Sequence, residues 1–122
     1  MIHVYNINTE THAGDKNNYL IHRPHILGNP YTHIDDRKTL ATYVVKTREE
    51  AIEKYGHYFD VMYSGNKAFR KAIDEIYEKY KNGEEIYLGC CCSPLPCHGD
   101  VIAKKLQQRL IKEKIQEAKN AK

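Results

Sequence analysis

The chain contains no tryptophan and only two phenylalanines, so its aromatic surface is carried almost entirely by ten tyrosines. A tyrosine packs its ring while keeping a hydroxyl for a partner, which suits core positions and ligand walls alike. No stretch reaches the roughly 20 apolar residues of a membrane-spanning helix, so no membrane is expected. Met1-Ile2-His3-Val4-Tyr5 lacks the basic and apolar regions of a secretory signal, and a cytoplasmic setting is expected. Internal repeats, low-complexity segments and a second domain are missing too. At 122 residues the chain suits one domain spanning 1–122, large enough to bury a core without disulfide staples.

Neither sign of charge dominates: 19 lysines and arginines against 16 acidic residues give a formal +3. That balance gives no argument for nucleic acid as a partner. The excess lies near the C-terminus, in Lys104, Lys105, Arg109, Lys112, Lys114, Lys119 and Lys122. The ordinary meaning of such a run is a solvated helix face, with residues from about 112 onward fraying.

Cysteine is scarce as well, and all four fall in one segment, Leu88-Gly89-Cys90-Cys91-Cys92-Ser93-Pro94-Leu95-Pro96-Cys97-His98-Gly99-Asp100. Two prolines forbid a continuous helix there, so the thiols belong to a loop with a histidine and a carboxylate beside them. In a reducing compartment, catalysis, metal binding or plain packing are favoured over bridges. Three chemistries compete with packing. Gly99 and Asp100 stand where a helix begins, and its free N–H groups favour an anion, with His98 as an added donor. Asp100 as an N-cap would occupy those same donors. A thiol near a helix N-terminus and a histidine can have a lowered pKa, which points to Cys97 with His98, or to Cys92. Cys90, Cys92, Cys97 and His98 also form a four-ligand set, but C-x-C-x4-C-H is not a common zinc spacing. No metal ligand or cofactor is therefore assigned. For Cys90 and Cys91 packing is the favoured reading.

Hydrophobic spacing orders the rest. Ile2 to Ile7 alternates as a strand, and Asn8 to Asn18 reads as a loop. Tyr19-Leu20-Ile21 is a second strand, and Tyr43-Val44-Val45 an edge strand. Thr47 and Glu50 match a capping box for a helix that faces Ala51, Ile52, Tyr55 and Phe59 inward. Ser64-Gly65-Asn66 opens a second helix with Phe69, Ile73, Ile76, Tyr77 and Tyr80 on one face, and Asn82-Gly83 stops it. Glu85 to Cys91 is a buried strand. A last amphipathic helix runs from about Val101 toward Lys119, with Val101, Ile102, Leu106, Leu110 and Ile115 in helical spacing. This order predicts an α/β layer arrangement, with ligands beyond the carboxyl ends of the strands. Two unusual loops follow strands, Arg23 to Pro30 and Cys92 to Asp100, and are expected to meet at one end of the sheet. In the first, Arg23 offers a planar fork for phosphate, Gly28 a close backbone approach, and Asn29 both a donor and an acceptor. The alternative is a self-satisfied turn in which Asn29 bonds its own backbone.

Together these segments resemble a known family. Arg23-Pro24-His25-Ile26-Leu27-Gly28-Asn29-Pro30 resembles the Gly-Arg-Pro-x-x-Leu-Gly-Asn-Pro signature of domain-of-unknown-function family 4326. The cysteine segment is similar to that family's Leu-x-Cys-x-Cys-x-Pro-x-x-Cys-His-x-Asp signature. Arg48, Ala51 and Tyr55 are similar to its Arg-x-x-Ala-(x)3-Tyr helix. His22 stands where the family has glycine, and Thr32 to Lys46 is longer than typical. The Cys-His loop is also similar to that of family 488. The resemblance implies a small bacterial or phage cytosolic protein with a single Rossmann-like three-layer domain and a short, mainly parallel sheet. It further implies a nucleotide or nucleotide-sugar that is bound, with hydrolysis left open. Arg23, Gly28, Asn29, Pro30, Arg48, Tyr55, Cys92 and Asp100 would line that site, and Cys97 and His98 would carry any catalysis. The alternatives are a non-enzymatic binding module, which sequesters a signalling nucleotide or inhibits a host protein, and a zinc-stabilised interaction domain. A homodimer or a host-protein partner is compatible with each.

Overall fold

A computed structural model describes residues 1–23, 25–32, 43–91, 95 and 97–120. The element order is β1 (Ile2–Asn6), β2 (Asn18–Leu20), β3 (Tyr31–Thr32), β4 (Tyr43–Val44), α1 (Arg48–Gly65), α2 (Lys67–Lys81), β5 (Ile86–Cys90) and α3 (His98–Asn120). The fold is mixed α/β. Strands β1, β5 and β2 form a parallel sheet in that order, with Val4 beside Leu88 and Tyr19 beside Leu88 on the other flank. Strands β3 and β4 pair in parallel as a separate two-stranded sheet.

Residue parity decides which side of the main sheet is the core. Ile86, Leu88 and Cys90 alternate along β5 and are fully buried, in one cluster with Tyr55 and Phe59 of α1, Phe69, Ile73, Ile76 and Tyr77 of α2, and Ile102 and Leu106 of α3. Thus all three helices contribute to one core on one face. Tyr87 points the other way. There it stacks on His3 and on His12, at 5.2 and 4.0 Å between ring centroids, and Tyr5 meets His12 edge-on. The segment between β1 and β2 therefore covers that face. Among the described residues no helix does so.

Local chemistry explains the helix boundaries. The Thr47 hydroxyl accepts from the Glu50 N–H at 3.1 Å and caps α1, but Glu50 reaches one residue further back than a capping box would, to the Lys46 N–H. Asn66 closes α1 through its own N–H on the Met62 carbonyl and opens α2 by accepting from the Phe69 N–H at 2.9 Å. A Schellman motif ends α2: Gly83, at φ +85°, donates to the Tyr80 carbonyl and Glu84 to that of Lys79.

Helix α3 starts three residues earlier than its apolar spacing predicts and stays helical to Asn120, past residue 112. Its Ile115 is exposed rather than inward-facing. Its basic face is not simply solvated. Lys105 bonds Asp60 of α1, while Arg109 bonds Asp74 of α2 at 2.9 Å and lies 3.9 Å over the Tyr77 ring. Burial, with the Glu113 carboxylate accepting from the same hydroxyl, pushes the Tyr77 phenol up to about 12.

Because the Asn66 side chain caps α2, Asn66→Ala is expected to cost about 1 kcal/mol, the usual worth of an N-cap side chain. Urea denaturation followed by circular dichroism measures it. A midpoint equal to wild type would show that the cap contributes nothing.

Candidate functional site

The main sheet's three strands run parallel, so Asn6, Leu20 and Cys90 end on the same edge. The chain after β2 and the chain before α3 leave from that edge and are tied together there. His98 Nε2 lies 2.6 Å from the Ile21 carbonyl oxygen, in a buried contact. A carbonyl only accepts, so Nε2 carries the proton and Nδ1 is the basic atom of the neutral ring. The Tyr55 ring meets the His98 ring edge-on at 5.0 Å, and the Tyr55 hydroxyl donates to the Leu27 carbonyl at 2.8 Å. The two loops thus meet as their positions after strands predict.

Burial dominates the electrostatics of His98 and holds its pKa down to about 4. The Ile21 carbonyl opposes that shift, the Arg23 charge adds to it, Asp100 opposes it and His22 adds to it. Near neutral pH His98 is therefore uncharged and its one N–H is spent on Ile21, which goes against its expected part as an added donor to an anion.

The start of α3 is likewise occupied from within. Cys97 stands at the cap position. Its N–H donates to Asp100 Oδ2 at 3.0 Å, and its carbonyl accepts the Asp100 N–H at 3.1 Å. Asp100 is therefore a first-turn residue reaching back to the cap, not the cap itself. Gly99 is needed for packing, since a Cβ there would come within 2.8 Å of the Val4 side chain and 2.9 Å of Ile21. Cys97 is itself buried in the core, and its Sγ donates to Cys90 Sγ at 3.5 Å. That bond, together with burial, pushes the Cys97 thiol well above the usual thiol range, the reverse of the lowered pKa expected beside a helix N-terminus.

In the arginine loop the self-satisfied reading holds for two residues. Asn29 accepts the Tyr31 N–H at 2.9 Å and donates to the Ala51 carbonyl at 3.2 Å, so its amide bolts the loop to α1 instead of facing a ligand. Gly28 is buried where a Cβ would sit 3.0 Å from the His25 carbonyl and 3.1 Å from Arg23 Cα. Its lack of a side chain serves the loop's own turn. His22 Nδ1 donates to the Arg23 carbonyl and its ring packs edge-on against His25. Pro30 is half-buried beside Asn29.

Arg23 and Arg48 behave differently. Arg23 is half-buried and donates through Nη1 to the Asn29 carbonyl at 2.9 Å and to that of Tyr31 at 3.4 Å. Its Nε and Nη2 have no partner among the described residues. Arg48 is half-buried in the first position of α1, where the helix dipole disfavours a cation, and it too has no described partner. Neither guanidinium meets a carboxylate among the described residues. In the sequence, only the resemblance to the family's Arg-x-x-Ala-(x)3-Tyr helix separates Arg48 from an ordinary helix-surface arginine.

Cys92, Pro94 and Pro96 lie outside the described residues, as does Pro24. Among the described residues no three metal-ligating side chains come together. No helix is long and apolar enough to cross a membrane.

The family model headed "Domain of unknown function (DUF4326)" matches residues 6–108. The chain belongs to the DUF4326 family. The match takes in both loops, Arg48 and the first half of α3, so every DUF4326 site position discussed above falls inside it. No curated protein and no solved structure gives a significant match.

His98 gives the fold a pH dependence whose sign follows from its lowered pKa. An unfolded histidine takes up its proton near 6.5, whereas the folded one stays neutral down to about 4. Between those values the unfolded state binds more protons, so stability falls as pH falls through the window and levels off below it. The full loss is of order 3 kcal/mol, the free-energy equivalent of that displacement. His98→Gln retains an N–H donor without titrating and is expected to flatten the urea midpoint between pH 6.5 and 4. A slope equal to wild type would show that His98 does not set it.

Proposed function

We propose that this DUF4326 protein binds a phosphate-bearing small molecule, a nucleotide or nucleotide-sugar, at the carboxyl edge of its parallel sheet. One observation supports this most. Two half-buried arginines, Arg23 and Arg48, meet no carboxylate among the described residues; Arg23 is bonded into the 29–31 turn, and Arg48 stands on the same first turn of α1 as the Ala51 carbonyl that holds Asn29. Arg23 is fixed to that turn by its Nη1 bonds and keeps the rest of its fork for an anion. A guanidinium suits this work because its planar donors match phosphate oxygens in pairs. A small parallel sheet with its loops gathered at the carboxyl ends is also the setting in which Rossmann-like proteins hold nucleotides.

Binding is better supported than hydrolysis. Cys97 is protonated, buried and bonded to Cys90, which leaves it a poor nucleophile. His98 offers only Nδ1 as a base. The reading is therefore a non-enzymatic binding module, acting by sequestration or by presenting its ligand to another protein.

Isothermal titration of the full chain against a panel of nucleoside di- and triphosphates and nucleotide-sugars tests this. At least one ligand is expected to bind. Arg23→Ala and Arg48→Ala are each expected to weaken it at least tenfold while circular dichroism stays native, and Arg23→Lys is expected to fall between. Affinity unchanged in both alanine variants would overturn the assignment. Turnover of the bound ligand, followed by chromatography, would restore the enzymatic reading.

A further inference from the structure

The cysteine pair at the join of β5 and α3 has no role in ligand binding, yet its geometry is specific. Cys90 ends the central strand, Cys97 caps the last helix, and their sulfurs lie 3.5 Å apart. Both side chains are buried, at 0% and 3% exposure, inside the core cluster. Cys91, the next residue after Cys90, is exposed. A hydrogen-bonded thiol pair needs only to close from 3.5 Å to about 2.05 Å to become a disulfide.

We propose that Cys90 and Cys97 form a reversible regulatory disulfide, with hydrogen peroxide or a related peroxide as oxidant. In the first step peroxide oxidises the Cys97 thiol to a sulfenic acid, and its O–O bond breaks to release one water. In the second, the Cys90 sulfur attacks the Cys97 sulfur and the S–OH oxygen leaves as a second water. Two thiols and one peroxide thus give one disulfide and two waters, with the protein oxidised by two electrons. A dithiol reductant reverses it by exchange through a mixed disulfide.

The surroundings set how such a site behaves. The Cys97 thiol is held protonated by its bond to Cys90 and by burial, so the reduced pair is slow to react and responds to sustained rather than transient oxidant. The consequence is local to the candidate site. Closing the bridge moves the Cys97 cap by up to about 1.5 Å relative to β5. His98, which holds the Ile21 end of the arginine loop, is the next residue. In compartments that keep thiols reduced, disulfides of this kind are transient and sensing rather than structural.

Intact-mass spectrometry of the full chain after peroxide treatment, with alkylation under denaturing conditions, is the test. The wild type is expected to lose the mass of two hydrogens and to leave two thiols unalkylated, both reversed by dithiothreitol. Fragmentation should place the bridge between Cys90 and Cys97. A Cys91→Ser, Cys92→Ser double variant is expected to oxidise as the wild type does, whereas Cys90→Ser and Cys97→Ser lose the bridge. The wild-type fragment map decides the case even if a buried serine prevents folding. A bridge mapped to Cys91 or Cys92 would overturn the proposal. So would a chain that emerges with bound zinc and resists oxidation until chelated, which would make the pair metal ligands.

Discussion

The His98–Ile21 hydrogen bond is the contact on which the architecture of the carboxyl edge depends. It joins the residue that follows an edge strand to the first residue of α3, two points 77 positions apart in sequence. The arginine loop is also anchored to α1, by Asn29 on Ala51 and Tyr55 on Leu27. The His98–Ile21 bond also fixes the histidine tautomer, while burial keeps the ring neutral beside Arg23 against the opposing pull of the Ile21 carbonyl. A charged ring there would repel the guanidinium, so neutrality of His98 is part of what lets an arginine sit half-buried at this edge.

Much of this was legible in the sequence, and the failures have identifiable causes. Alternation found β1, and helical spacing found the inward face of α2 residue by residue, because burial on one face leaves a strong period. Thr47 and Asn66 announced their helices through cap chemistry. The start of α3 was missed because Cys97, a weak cap by composition, takes the place of a serine or aspartate, and Asp100 resembled the cap it in fact supports. The β3 strand was missed because Tyr31 and Thr32 offer two residues and no alternation. Ile115 misled because helical spacing continues past the point where the sheet and the other helices end.

At the candidate site, the fold's own closure accounts for several of the side chains that the sequence singles out. Gly28, Asn29 and Gly99 are unusual residues in unusual loops, and each is explained by the loop's own closure. A signature of this kind records what the turn needs as much as what a ligand would need. The residues that remain candidates, Arg23 and Arg48, meet no carboxylate among the described residues, a property that sequence does not show, since an arginine with a carboxylate partner and one without look alike there. The same holds for the back of the sheet, where the His3–Tyr87–His12 stack takes the place of a helix without any pattern to announce it.

Asn66 has a mechanical meaning beyond its two caps. A single residue separates α1 from α2, and it is bonded to both, so the joint has no spare length. Helix α1, at 18 residues, is about 27 Å long. Its beginning carries Arg48 and the Ala51 carbonyl that holds Asn29, and its far end is welded to the helix that packs on β5. The pair is a crank rather than a hinge: a displacement imposed at the arginine end has no elbow in which to dissipate and is delivered to the opposite side of the molecule.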